Sequence, residues 1–170
     1  MSLHTPLCDL LGIEHPILQS GMGQIAGPDL VAEVSKAGGL GILAGLNVPP
    51  EDLRGMIRRV RALTDRPFGV NLWLHSAIRP PIDPATIPDE TLRAAQGTLN
   101  RFRERLGLPT TLARPKGAPD FFDGAFRVIL DEGVPVVSAA LGRLEPELCE
   151  ACHRRGIRVV AMVATLEDAR

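Results

Sequence analysis

The chain has 170 residues, 45% of them hydrophobic, so one domain with a substantial core can be built from it. Its 19 lysines and arginines nearly balance its 20 aspartates and glutamates, and the net charge of −1 gives no electrostatic reason to expect nucleic acid or an anionic membrane as a partner. No apolar run approaches the ~20 residues that a membrane span needs, and no signal peptide pattern is visible. We therefore expect a cytoplasmic protein.

The predicted elements alternate between strands and helices in chain order. Short apolar runs predict five strands, at residues 16–21, 40–44, 68–74, 134–141 and 158–163. Helical spacing and helix-starting prolines and acids predict core helices at residues 28–37, from 50 onward, at 119–131, at 144–155 and from 165 onward. This βα repeat, with strands that are apolar almost throughout, predicts a parallel sheet buried on both faces.

The long interval between the third and fourth strands holds a proline-rich loop and a polar helix from about Asp89 to Leu106. We predict that residues 1–170 form a single α/β domain in which residues 75–118 are a helical insertion after strand 3. The arginines of the helix that begins at Pro50 have no aromatic residues between them. They therefore predict a solvated helix face rather than a nucleic-acid site.

Cys149 and Cys152 form a C-x-x-C pair followed by His153, a spacing found in redox, zinc and haem-attachment sites. The pair lies inside a helical pattern, and the sequence has no second ligand pair that would complete a zinc site. Together with Cys8, these cysteines do not suggest a disulfide framework. We interpret them as structural thiols and expect no metal.

Two α/β folds remain open, a closed barrel and an open doubly wound sheet, and both carry functional groups at the carboxyl ends of the strands. Residues 21–27 form a loose glycine-rich turn of the kind that binds dinucleotides. A dinucleotide site also needs an acid at the end of the second strand, where the first acid is Glu51 in the next helix. Asp29 would place negative charge beside a pyrophosphate, so the sequence disfavours this site.

The strand ends favour a flat apolar ring lying across a barrel mouth. The backbone of Gly21 and Gly23 would let such a ring approach closely, Asn71 could bond to its polar edge, and Met22 and Trp73 would supply apolar wall. The structural alternative is that the glycines form only a tight turn and Asn71 caps a strand end.

Four stretches of the chain resemble the nitronate monooxygenase family, formerly the 2-nitropropane dioxygenases. They are LGIEHPILQSGMGQIAGPDLVAEVSKAGGLGILAG at 11–45, LTDRPFGVNLWL at 63–74, PVVSAALG at 135–142 and GIRVVAMVATLEDAR at 156–170. The resemblance implies an FMN-dependent, TIM-like (β/α) barrel with the flavin at the strand carboxyl ends. By position it implies FMN contacts at Gly21, Met22, Gly23, Asn71, Trp73 and Met162.

The resemblance also implies the reaction, in which an alkyl nitronate is oxidised to a carbonyl product and nitrite with molecular oxygen. The family pattern continues into an A-Q-G-x-E-A-G-G-H motif whose histidine is taken as the catalytic base, and this chain does not contain it. Four histidines are present, and His75, after the third strand, is the nearest substitute. We expect it to be a loop residue with no catalytic role, so the catalytic residues are unknown.

A barrel of this type takes roughly 250 residues. The sequence therefore predicts an incomplete barrel of about five βα units of eight, from a truncated chain or a fragment, with doubtful activity at 170 residues. Open sheet edges would favour partial folding, a homo-oligomer or an open sheet. Two other functions stay open, an NAD(P)H-dependent FMN reductase acting on enoyl-ACP or quinones and a non-catalytic half-barrel binding or assembly module.

Overall fold

The computed structural model of the chain describes residues 3–74, 83–117, 119–167 and 169. The chain divides into a larger unit, Met1–Ile78 with Asp120–Arg170, and a smaller unit, Arg79–Pro119. Within the described parts, no helix combines the length and the apolar character needed to cross a membrane.

The larger unit is built on a five-stranded parallel sheet. Its strands are β1 Leu18–Gln19, β2 Leu40–Ala44, β3 Phe68–Trp73, β4 Val136–Ala140 and β5 Arg158–Ala161. Each strand pairs in parallel with the next one along the chain, so the spatial order is β1-β2-β3-β4-β5. A doubly wound sheet would reverse its order partway, whereas a β/α barrel keeps it. The predicted barrel-type arrangement with five parallel strands is confirmed.

The helices of the larger unit precede or connect its strands. They are α1 Pro6–Leu11, α2 Pro28–Lys36, α3 Pro50–Leu63, α5 Phe122–Glu132 and α6 Pro146–His153, with a 3₁₀ turn over Gly23–Ile25. Four of the five begin at a proline, which suits the first helical position because its missing N–H would have no partner there. The sequence did not predict α1, which has only six residues. The helix predicted from Thr165 was wrong, because residues 164–167 form a bend and a turn.

The two faces of the sheet have different partners. One face packs against α3 and α5, where Val70 and Val137 join Ile57 and Ile129 in a fully buried core. We call the opposite face the inner face. At its amino end it is apolar, and Ile42 and Val136 pack there with Cys8, Leu11 and Ile13 from the region of α1. This region seals the amino end of the inner face and leaves the carboxyl ends of the strands for the site.

An ion-pair cluster ties α3 to α5. The side chain of Glu132 is only 10% exposed and lies 2.9 Å from Arg58, 3.0 Å from Arg54 and 3.3 Å from Arg61. Arg59 instead pairs with Asp29 of α2, at 2.9 Å. The arginines predicted to form a solvated face are thus largely used within the chain, as links between neighbouring helices.

The smaller unit contains the polar helix, α4 Asp89–Arg105, and a 3₁₀ turn over Pro84–Thr86. Asn100 fastens α4 to the segment that follows it, because its side chain donates to the carbonyl of Thr111 at 2.9 Å and accepts from the Thr111 N–H at 3.0 Å. Gln96 adds a bond from its Nε2 to the carbonyl of Ala113, at 3.0 Å.

Candidate functional site

A row of small and polar residues crosses the carboxyl end of the inner face. Ala44, Asn71 and Ser138 are paired in register on β2 to β4, and the apolar Val160 of β5 lies next in the same register. Residues in register on parallel strands present their side chains to the same side, and Ala44 lies two residues beyond Ile42 of the inner face. The inner face therefore changes from apolar at one end to small and amide-bearing at the other.

Asn71 is the polar residue at the centre of this row. It is only 7% exposed, and its Nδ2 donates to the carbonyl oxygen of Ser138 at 3.1 Å and to the Ser138 Oγ at 3.0 Å. Its own main-chain carbonyl accepts from the N–H of Gly45, at 2.9 Å. Asn71 is thus fixed from β4 through its side chain and from the loop after β2 through its backbone.

Two glycines shape the loop after β1. A Cβ on Gly21 would lie 3.4 Å from the Cα of Ala44 and would press against Asn71, so this position has no room for a side chain. Gly23 has a φ of +49°, a conformation that side-chain-bearing residues rarely adopt, and a Cβ there would meet nothing within 4 Å. The loop therefore leaves bare backbone at the strand ends, because a side chain at Gly21 would crowd Asn71 and because Gly23 has a left-handed backbone.

A cavity of about 760 Å³ opens at these strand ends. It is lined by residues that follow β1 and β2, by the end of β3 and by one residue of α3: Gly21, Gly23, Gln24, Gly27, Pro28, Ala44, Leu46, Asn47, Val48, Met56, Asn71 and Trp73. None of these described lining residues carries an ionisable side chain. The cavity can therefore enclose a ligand and bond to it through amides and backbone, but these residues offer no acid or base.

The structure brings together four of the six residues expected at the site. Gly21, Gly23, Asn71 and Trp73 line the cavity. Met22 and Met162 do not line it and are 43% and 60% exposed, respectively. His75 lies outside the described residues.

Sequence reasoning missed Gln24, Asn47 and Met56 in the lining. Asn47 carried a usable signal, because asparagine tolerates a left-handed backbone and its φ is +56° in the loop after β2. Met56 lies in the middle of α3, where its helical spacing predicts burial but does not indicate that it faces the cavity.

The cysteines belong to the packing of the larger unit. Cys152 is fully buried in the core, and burial raises the pKa of its thiol to about 11. Cys149 is half-buried, its Sγ lies 3.7 Å from the carbonyl oxygen of Leu144, and burial raises its pKa as well. Among the described residues, no group of three or more histidines, cysteines or acids could hold a metal ion.

The strand order defines the class as a β/α-barrel protein, and the cavity lies at the strand carboxyl ends, where that fold usually binds its ligands. A family model described as nitronate monooxygenase matches residues 4–170. The chain belongs to the nitronate monooxygenase family, and its resemblance to that family is confirmed.

Two relatives cover different parts of the chain. The nitronate monooxygenase of Pseudomonas aeruginosa is 35% identical over 163 residues, which is 94% of this chain and 44% of that protein. The (3aS,4S,5R,7aS)-5-hydroxy-7a-methyl-1-oxo-octahydro-1H-indene-4-carboxyl-CoA dehydrogenase of Mycobacterium tuberculosis is 53% identical over 77 residues, 45% of this chain and 22% of that protein. The chain spans less than half the length of these relatives.

A solved structure supports the same fold. Nitroalkane oxidase from Streptomyces ansochromogenes superposes with a TM-score of 0.77 at 30% identity, covering 97% of this chain and 44% of that chain. The five parallel strands of this chain form a curled half-barrel.

Proposed function

We propose that this chain supplies the cofactor-binding part of an FMN-dependent oxidoreductase that oxidises alkyl nitronates to a carbonyl product and nitrite, with molecular oxygen as co-substrate. Membership of the nitronate monooxygenase family, whose members are flavin enzymes, supports the reaction class. The observation that carries the proposal is the cavity at the strand carboxyl ends, with the bare backbone of Gly21 on one side and Asn71 and Trp73 on another.

The residues of the cavity fit a flavin ring in size and in chemistry. A volume of about 760 Å³ lies within the ~300–1,000 Å³ typical of ligand and cofactor sites. Glycine backbone permits the close approach of a flat ring, and Leu46, Met56 and Trp73 provide apolar surface for its faces. Amide side chains, which stay neutral at every pH of interest, suit the polar edge of an uncharged isoalloxazine.

FMN, when bound, supplies the redox chemistry, accepting electrons from the nitronate and passing them to oxygen. The residues of this chain would bind and orient. Asn71 would bond to the polar edge of the ring, the Gly21 backbone would set its distance from the sheet, and Trp73 would shield one side from water. None of the described lining residues can take a proton, so their contribution is orientation and exclusion of water.

A second candidate function is favoured by one comparison. The 53% identity with the carboxyl-CoA dehydrogenase of M. tuberculosis exceeds the 35% identity with the nitronate monooxygenase, although it covers only 77 residues. Local identity of this degree supports a shared cofactor-binding region. The substrate would then be a thioester rather than a nitronate. The same cavity would serve both reactions, and the substrate would distinguish them.

The experiment compares electron donors on the purified protein. Flavin released by unfolding is identified first, and the flavin-loaded protein is then mixed without oxygen with an alkyl nitronate, with NADH or with an acyl-CoA. Bleaching of the flavin absorbance by the nitronate supports the proposed function, and bleaching only by NADH or only by the thioester overturns it in favour of a reductase or a dehydrogenase.

Two asparagines provide a matched pair of variants for this test. Asn71→Ala should lose flavin, because Asn71 lines the cavity. Asn100→Ala should retain it, because the bonds of Asn100 to other described residues lie within the smaller unit, at Thr111. Equal flavin content in the two variants would contradict the proposed site.

Location and assembly are part of the same proposal. All three cysteines are free, which supports a reducing, cytoplasmic environment. Within the described residues, β1 and β5 are the edge strands of the parallel sheet, and such strand edges support association of two copies. Size-exclusion chromatography with light scattering measures the assembly, and a monomer at high concentration would contradict it.

A further inference from the structure

The hydrogen bonds of Asn71 determine what it can offer to a ligand. A carboxamide has two N–H hydrogens and one acceptor oxygen. The Nδ2 of Asn71 lies 3.1 Å from the carbonyl oxygen of Ser138 and 3.0 Å from the Ser138 Oγ, so both hydrogens have acceptors on a single residue. Within the described parts of the chain, no hydrogen bond to Asn71 Oδ1 is formed. The oxygen is therefore the only atom of this side chain that remains for a partner in the cavity.

The opposite orientation of the amide is disfavoured by the hydrogen-bonding partners around it. A main-chain carbonyl can only accept, so turning the amide over would bring Oδ1 against the Ser138 carbonyl oxygen, two acceptors in contact. On the other side, the position that a Cβ of Gly21 would take is 3.4 Å from the Asn71 Cγ, which shows how closely the loop after β1 covers the amide. The register of β3 and β4 places Asn71 and Ser138 opposite each other.

We propose that Ser138 is a positioning residue that holds the Asn71 carboxamide with its oxygen toward the cavity, so that the site selects ligands that present an N–H. This rests on the proposed FMN function. The ring of oxidised flavin carries a single N–H, at N3. Its other polar edge atoms accept hydrogen bonds. The site therefore selects a flavin with a free N3–H, and the Ser138 hydroxyl strengthens this selectivity by holding the second amide hydrogen.

A binding experiment tests the selectivity with FMN and 3-methyl-FMN, which lacks the N3–H. The ratio of their dissociation constants is measured by flavin fluorescence on the wild type, Ser138→Ala, Ser138→Thr and Ser35→Ala. Ser35 is the matched control, because its buried Oγ accepts from the N–H of Gly41 and it does not line the cavity.

We expect the wild type, Ser138→Thr and Ser35→Ala to favour FMN by about tenfold or more, the size of one well-made hydrogen bond to a buried group. Ser138→Ala should reduce the ratio severalfold, because the amide keeps only one of its two anchors. The N3 methyl group has the same size in every titration, so the comparison between variants, rather than the wild-type ratio alone, reports how firmly Asn71 is held. An unchanged ratio in Ser138→Ala would overturn the inference.

A second measurement on the flavin-free protein separates this inference from the proposed function. In NMR spectra, both side-chain N–H protons of Asn71, assigned by their loss in Asn71→Asp, should be protected from solvent exchange in the wild type. One of them should exchange faster in Ser138→Ala. If the protein binds neither flavin, the proposed function fails, and the proton exchange alone decides whether Ser138 holds Asn71. Rapid exchange of both protons in the wild type would overturn that role.

Discussion

A Cβ atom on Gly21 would lie 3.0 Å from the Cβ of Asn71, tighter than nine in ten such contacts in folded proteins. The two residues belong to different parts of the chain, the loop after β1 and the carboxyl end of β3. Their contact means that the loop lies directly on the amide that lines the cavity. The glycine is required by the space beside Asn71 rather than by its own backbone angles.

Gly21→Ala should therefore weaken flavin binding by about tenfold or more, since the new methyl group must displace either the loop or Asn71. Misplaced contacts of this kind cost roughly 1–3 kcal/mol, the usual penalty for inserting a methyl group into a packed site. The measurement is the dissociation constant for FMN, with the free energy of unfolding taken in urea. Wild-type affinity in Gly21→Ala would contradict the close contact.

Gly55→Ala is the matched substitution at an open position. Gly55 lies on the exposed side of α3, where an added Cβ would meet nothing within 4 Å. Alanine is a better helix former than glycine, so this variant should be stabilised by about 0.5–1 kcal/mol and should bind FMN as the wild type does. Urea unfolding measures the gain, and a loss of stability would show that α3 is packed differently.

The Glu132 cluster should make stability depend on acidic pH. Hydrogen bonding from Arg58, with a further contribution from Arg54, lowers the pKa of Glu132 below its ordinary value of 4.5, although burial opposes the shift. The ionised form is the one that folding favours. Its contribution is therefore present above pH 4.5 and is lost as the pH falls through the lower pKa of the folded state.

Glu132→Gln should accordingly have a lower melting temperature than the wild type at neutral pH, and the difference should shrink as the pH is lowered below 4.5. Asp131→Asn is the control, because Asp131 is half exposed and, among the described residues, pairs with Arg54 alone, at 3.6 Å. Its effect on the melting temperature should be much smaller. A Glu132→Gln difference that stays constant from neutral to acidic pH would contradict the cluster's role.

The buried thiol of Cys152 should make stability depend on alkaline pH. Burial raises its pKa from 9.0 to about 11, so folding favours the protonated thiol. This contribution is complete below pH 9 and is lost as the pH rises toward 11. Free energies of unfolding of the wild type and Cys152→Ala, measured across this range, should converge as the pH rises. The chain has no tyrosine to titrate in the same range. Parallel curves would contradict burial of the thiol.

Much of the sheet could be predicted from the sequence because its strands are short apolar runs bounded by helix-starting prolines. β2 was predicted to the residue, and β3 to within one. β1 is shorter than predicted, since only Leu18 and Gln19 pair with β2 at the edge of the sheet. The sequential strand order, by contrast, followed from the family resemblance, because apolar periodicity does not specify which strands are neighbours.

The site was predictable only where a residue type was itself unusual. Gly21, Gly23 and Asn71 could be named because glycine and asparagine are unusual at the ends of apolar strands. The role of Ser138 was not visible, because its bond to Asn71 joins residues 67 positions apart and depends on the register of β3 and β4. Met162 followed from resemblance alone, and its exposed side chain does not line the cavity.

The most direct test of the account uses Trp73, the single tryptophan of the chain, which lines the cavity and is 42% exposed. Titration with FMN should quench its emission in a saturable manner. Trp73→Phe should lose this signal while still binding FMN, as followed by the fluorescence of the flavin. If FMN binds the folded protein and Trp73 emission does not change, or if no FMN binds, the proposal that these strand ends form a flavin site is contradicted.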